Sequence, residues 1–192
     1  MKKIGIVTDS HSSISQEEAK KLGIFVLPMP FYIDGECYYE SVTLSRELFF
    51  EKLTSGADIS TSQPSPTAVM EIWDKALEEY EKILYMPISS GLSSSYNTAM
   101  MLAQEEKYEG RVLVVDDGQV AAPLHQMILD TLDMIEKGYE AEHIRELLEK
   151  AGDRMMIYIA LQTLEFLKKG GRVTPAAAAL GSVFNIKPIL KL

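Results

Sequence analysis

The sequence predicts an α/β fold: a mostly parallel sheet flanked by helices, followed by a second α/β domain that is cut short. Three observations predict it. Short apolar runs at residues 3–7, 82–86 and 111–115 end in polar loops, as buried parallel strands do. Helical stretches alternate with these runs up to residue 151, and β/α alternation builds a parallel sheet with helices on both faces. The last residues then read as an apolar strand, 186–190, whose edge stays unpaired unless something covers it.

Taken in order, the first strand stops at Thr8-Asp9-Ser10, a polar loop at a strand end, where α/β proteins place their ligands. Ser15 and Glu18 form a capping box, so a helix is expected over residues 16–22, stopping at Gly23. Residues 25–33 read as a strand, but Pro28 and Pro30 donate no ladder hydrogen bonds and make it an edge or an irregular strand. Asp34-Gly35 is a hairpin turn signal, with residues 37–40 returning. Ser45 caps a helix through Leu53, and residues 54–65, hydroxyl-rich and without apolar periodicity, are expected to be loop. Ser65 at an N-cap with Pro66 at the first helical position starts a helix that runs to about Tyr80.

The strand at 82–86 exits through residues 88–93 into a helix over 94–106, with Ala99, Leu102 and Ala103 on one face. The strand at 111–115 ends in Asp116-Asp117-Gly118. Helices over 120–136 and 140–151 follow, divided by Gly138. The remainder predicts a strand at 155–161, a short helix at 163–169 closed by Gly170-Gly171, a helix at 176–180 and the final strand. Residues 1–151 are thus expected to form an N-terminal α/β domain carrying the ligand loops, and residues 152–192 to begin a second, incomplete domain.

Composition sets the function classes. An apolar fraction of 46% and a charged fraction of 24% are those of a globular protein with a real core. Net charge −9, from 28 acidic and 19 basic residues, repels a nucleic-acid backbone, so no nucleic-acid partner is expected. The single Cys37 excludes an internal disulfide and a cysteine-based zinc cluster, and suits a reducing compartment. The first residues are too short an apolar run for a signal peptide, and no stretch is long enough to span a bilayer; the expected location is cytoplasmic.

Two segments gather hydroxyls at helix starts. In residues 86–98, Ser89, Ser90, Ser93, Ser94 and Ser95 lie between a strand end and a helix, where free backbone N–H groups make an anion site. Helix capping plus loop filling accounts for one such serine, less easily for five within seven residues. The second segment is Ser60-Thr61-Ser62-Gln63-Pro64-Ser65. Neither contains Lys or Arg, which favours a single weak anion such as a carboxylate over a phosphate-rich ligand. Nucleotide, dinucleotide and zinc motifs are absent from the sequence, so no cofactor or metal is implied. Of the three histidines, His143 reads as a surface residue and His125 has no evident partner; His11 follows the first strand and could face the serine loop. A hydrolase using Ser93, His11 and Asp9 is therefore an alternative. Lys168-Lys169-Gly170-Gly171-Arg172 is a basic turn whose cations offset a helix dipole, with Arg172 retained as a ligand contact. Asp9, Asp116 and Asp117 are explained as caps and turns more simply than as magnesium ligands.

Several motifs, taken together and in order, carry a resemblance. They are Thr8-Asp9-Ser10, Thr61-Ser62-Gln63-Pro64-Ser65, Pro87-Ile88-Ser89-Ser90 with Leu92-Ser93, Leu167-Lys168-Lys169-Gly170-Gly171-Arg172, and Ile186-Lys187-Pro188-Ile189-Leu190. Here the sequence resembles the DegV family of fatty-acid-binding proteins along its whole length. The resemblance implies a DegV-like two-domain α/β fold with a long-chain fatty acid such as palmitate in an apolar tunnel between the domains. It implies that Thr61 and Ser93 hold the carboxylate, with Ser62, Ser94 and Arg172 nearby. It further implies a non-catalytic lipid carrier that presents the acyl chain to a separate fatty acid kinase catalytic subunit. Peripheral membrane contact and homo-oligomerisation are the other partner expectations.

Three features depart from the family pattern. Ser94-Ser95-Tyr96 stands where Gly-Thr-Tyr is common. Asp117 stands where a serine is usual, with Ala121, Ala122 and Pro123 replacing a Ser-x-Gly element, and an extra carboxylate near a carboxylate site weakens binding unless it points away. Family chains also continue well past the Lys-Pro-Ile-Leu strand, whereas this sequence stops at Leu192. A degenerate module that only mediates protein association is the remaining alternative.

Overall fold

The computed structural model describes residues 2–40, 42–171, 187 and 189–191. The expected helix over 176–180, Arg172 and Ile186 lie outside the described residues.

The central sheet is parallel, in the order β2-β1-β6-β7, from Phe25–Leu27 (β2), Lys2–Asp9 (β1), Tyr80–Met86 (β6) and Val112–Val114 (β7). Each strand is apolar on both faces because both are covered. Ile4, Ile6, Leu84, Met86 and Leu113 point to one side, against the helices Ala122–Glu136 (α5) and Ala141–Gly152 (α6). Val7, Ile83, Tyr85, Val112 and Val114 point to the other, against Pro66–Glu79 (α3) and Ser95–Leu102 (α4). On this second face Trp73 of α3, fully buried, meets Tyr85 and Tyr108 edge-on at ring centroids of 5.3 and 5.2 Å. Gly5 lies under the Tyr80 ring, where a Cβ would come within 2.6 Å of it.

The helix starts follow the capping chemistry. Ser15 Oγ accepts the Glu18 N–H at the head of Gln16–Leu22 (α1), and Gly23 ends that helix at φ 70°. Ser45 and Ser65 cap Arg46–Thr54 (α2) and α3 in the same way.

The expected strand over 25–33 divides in two. Phe25–Leu27 (β2) joins the edge of the parallel sheet, and Pro30–Ile33 (β3) opens a second, antiparallel sheet of order β4-β3-β5 with Glu36–Tyr39 (β4) and Ile59–Thr61 (β5). Pro28 and Pro30 mark the place where the chain leaves one sheet for the other. Asp34 and Gly35, at φ 52° and 83°, form the hairpin turn. The segment 54–65 is not all loop: β5 lies within it, paired Ile33↔Ile59 and Phe31↔Thr61. The helix expected over 94–106 is shorter, giving way after Leu102 to turns through Gly110. Beyond α6, Tyr158–Ala160 (β8) and Ile189–Lys191 (β9) form a separate antiparallel pair, with Glu165–Lys169 (α7) between them in sequence.

Candidate ligand-binding site

A cavity of about 620 Å³ lies between the loops at the carboxyl ends of β1 and β6 and the antiparallel sheet with α2. This is the place where an open parallel sheet takes its ligands. Its lining comes from residues between Ser10 and Ser93.

One wall descends from β5. Side chains alternate along a strand, so Ile59 and Thr61 share a face, and both line the cavity. Phe31, paired with Thr61, lines it too and meets Phe49 of α2 edge-on at 5.6 Å. Ser62 continues the hydroxyl row. Phe50 and Arg46 complete the aromatic side, with the Arg46 guanidinium 5.8 Å from the Phe50 ring centroid.

The opposite wall is the serine loop. Asp9 is fully buried at the end of β1 and ties two loops together: Oδ2 accepts the Ile88 N–H at 2.8 Å, and Oδ1 accepts the His11 N–H at 2.9 Å. Ser93 faces the cavity. Its Oγ accepts the Ser95 N–H at 3.2 Å and lies 2.8 Å from Ser95 Oγ, so Ser93 itself caps the start of α4, while Ser94 makes no side-chain cap bond. If the buried Ser95 hydroxyl donates to Ser93, the Ser93 O–H is left to donate outward.

A third loop, residues 116–121, braces the serine loop and the turn at His11. Ser89 N–H donates to the Gln119 carbonyl at 3.0 Å, Ser90 N–H to Asp116 Oδ1 at 3.3 Å, and Ala121 N–H to the His11 carbonyl at 2.7 Å. Asp117 is buried in this loop. Burial pushes its carboxyl up to about 7; the Gln119 N–H opposes the rise, and the negative charges of Asp116 and Asp9 add to it.

Thr61, Ser62 and Ser93 are thus brought to one cavity. Ser94 instead lines a neighbouring cavity that joins the serine loop to Leu167, Gly170, Gly171 and Leu190. Arg46, Phe49 and Phe50 escape loop-based reasoning. Their signal was the Ser45 cap, which announces α2 without saying which cavity it covers. The absence of a cation from the two hydroxyl loops therefore does not extend to the cavity, which Arg46 enters. For the hydrolase alternative, His11 Nδ1 lies 3.2 Å from Asp9 Oδ1, and Ser93 Oγ pairs with Ser95. His125, unpartnered on sequence reasoning, pairs through Nε2 with Glu18 Oε1 at 3.2 Å.

With this geometry in place, comparison with known proteins is decisive about the family. The model of the DegV family, described as uncharacterised protein, DegV family, matches residues 3–192. The chain belongs to the DegV family. A DegV domain-containing protein of Deinococcus radiodurans is 35% identical over 188 residues, 97% of this chain and 66% of the relative. A Streptococcus pneumoniae DegV domain-containing protein is 34% identical over 191 residues, covering 98% of this chain and 67% of that one. Among solved structures, a fatty-acid-binding DegV family protein from Thermus thermophilus superposes with TM-score 0.85 at 35% identity, over 99% of this chain and 68% of that chain. DegV from Bacillus subtilis, at 24% identity and TM-score 0.84 over 100% of this chain and 68% of its own, shows the same fold. The chain spans about two thirds of the length of these relatives. Among the described residues no helix is long and apolar enough to cross a membrane.

Proposed function

We propose that this DegV chain binds a long-chain fatty acid, with the tail against the aromatic wall of the cavity and the carboxylate held by the hydroxyls of Thr61 and Ser93. One observation carries the reading: these two hydroxyls, far apart in sequence, line one cavity of about 620 Å³ whose wall also carries Phe31, Phe49, Phe50 and Ile59, within the range of small-molecule sites. The fatty acid bound by the Thermus thermophilus relative supports it. Ser62 assists and Arg172 is a further contact of the head-group region, while Ser94 faces the neighbouring cavity. Residues 1–151 act as the head-group domain and residues 152–192 as part of the second.

Tail and head group divide the labour. Burying a methylene contributes about 0.8 kcal/mol, so a tail of about fourteen contributes on the order of 10 kcal/mol before ordering costs. Two neutral hydroxyls add about 1–3 kcal/mol. The tail sets affinity and the hydroxyls set orientation, which suits a non-catalytic carrier that presents its carboxyl group to a separate fatty acid kinase.

The test is organic extraction of purified protein followed by lipid mass spectrometry, beside a Thr61→Val, Ser93→Ala double variant. A stoichiometric fatty acid, depleted in the variant, is expected; recovery of no fatty acid from the wild type would sink the reading.

The Asp9–His11 contact favours one second reading, an esterase with Ser93 as nucleophile. It requires ester turnover that disappears in both Ser93→Ala and His11→Ala, whereas a carrier shows no turnover in any of the three proteins.

A further inference from the structure

The turn at Asp117 is short of a hydrogen-bond donor. Asp117 is 1% exposed and Gln119 2%. Asp117 Oδ1 accepts the Gln119 N–H at 2.9 Å, and Gln119 Nε2 donates to the Asp117 carbonyl at 3.0 Å. That leaves two buried acceptors, Asp117 Oδ2 and Gln119 Oε1, without partners among the described residues inside one three-residue turn. A buried acceptor without a donor is costly, and an unpaired buried carboxylate more so. A single proton on Asp117 changes this balance, because it turns one orphan acceptor into a donor.

The surroundings hold the turn closed. A Cβ on Gly152 at the end of α6 would run into the Asp117 carbonyl, so helix and turn are in close backbone contact. Ala121, at φ 56° and ψ −133°, occupies backbone space that favours glycine, and its N–H is the one that reaches the His11 carbonyl. The ionisable groups gathered at this corner are Asp116 beside the turn, Asp9 at the end of β1 with His11 bound to it, Tyr96 on α4, and Arg145 and Glu149 on α6. The two charges that act on Asp117 are both negative.

We propose that Asp117 is a positioning residue that works as a neutral acid. Its carboxyl proton supplies the donor the turn lacks, with Gln119 Oε1 as the acceptor available. It thereby holds residues 116–121 in the shape that keeps the serine loop and the His11 turn in register around the ligand head group. Loss of that proton loosens the brace and adds a negative charge behind a site for a carboxylate. The device rests on the fatty-acid reading for its effect on ligand, but not for the proton itself. Held neutral, Asp117 does not repel the ligand.

The experiment follows the Asp117 carboxyl carbon by NMR in ligand-free protein through a pH titration, together with the Ser89 and Ser90 amide signals. In parallel, vaccenic acid affinity is measured between about pH 6 and pH 8.5 for wild type and Asp117→Asn, an amide that supplies a permanent donor. Expected are a carboxyl midpoint near neutrality, both amides moving with that midpoint, and wild-type affinity falling several-fold relative to the variant as pH rises. A carboxyl that titrates near pH 4 overturns the proposal. So do Ser89 and Ser90 amides that ignore the titration, or affinity profiles of the two proteins that run parallel. If neither protein binds vaccenic acid at any pH, the fatty-acid reading fails, while the carboxyl midpoint and the amide shifts still decide whether Asp117 braces the loop.

Discussion

The four-stranded parallel sheet and the three-stranded antiparallel sheet face each other across one cavity, yet they are built on opposite terms. Strands β1, β6 and β7 are buried on both faces, and the helices above and below them bury Trp73, Ile128 and Ile144 almost completely. The antiparallel sheet is covered by α2, none of whose residues is buried, and Leu48 and Phe50 on that helix stay 40% and 47% exposed. Stability therefore lives on one side of the cavity. The other side has apolar surface facing the cavity and little packing of its own.

The comparison breaks first at its strong side. Trp73→Ala empties the centre of the second core face and is expected to cost about 3–5 kcal/mol, read as a lower midpoint in chemical denaturation. The mirror experiment is Phe49→Ala, where a half-buried ring is lost from the weak side. Its expected cost in stability is below about 2 kcal/mol, while fatty-acid affinity drops by about tenfold or more, since the ring meets Phe31 on the cavity wall. Equal losses of stability in the two variants would remove the distinction.

A third variant addresses the loop that braces the strand-end turns on the strong side. The Asp117 carboxyl rises from the ordinary 3.8 to about 7 on folding. A group raised in the folded state contributes stability that is complete below its unfolded value and is lost as pH rises through the folded one. Wild type should thus lose stability between about pH 4 and pH 7 relative to Asp117→Asn and level off above that, by about 1–3 kcal/mol for a buried charge left unpaired, measured as diverging melting temperatures. Matching melting temperatures across that range would mean that the carboxyl is solvated. The smallest effect is a gain. Ala121→Gly relieves a positive φ and is expected to stabilise the protein by about 1 kcal/mol, seen as a slightly higher melting temperature.

Much of this architecture was legible because its signals are local. Three buried strands, three serine caps, at Ser15, Ser45 and Ser65, and the Asp34-Gly35 turn each depend on neighbours within a few positions. Strand β5 was not legible. Ile59-Ser60-Thr61 has no apolar run, and what makes it a strand is Phe31 and Ile33 about thirty residues earlier. The same holds for the site: Thr61, Ser62 and Ser93 stood out as hydroxyls before helices, but Arg46 and the phenylalanines of α2 did not, because a helix signal says nothing of what the helix covers.

By itself the sequence determined that this chain is α/β, that its hydroxyl-rich loops sit at helix starts, and that it resembles the DegV proteins, since caps, turns and short apolar runs are properties of adjacent residues. Only the tertiary structure decided that Thr61 and Ser93 face one cavity, that Ser95 stands behind Ser93, and that Asp117 is buried with an acceptor to spare. Those are relations between segments brought together by burial, and burial depends on the whole core at once.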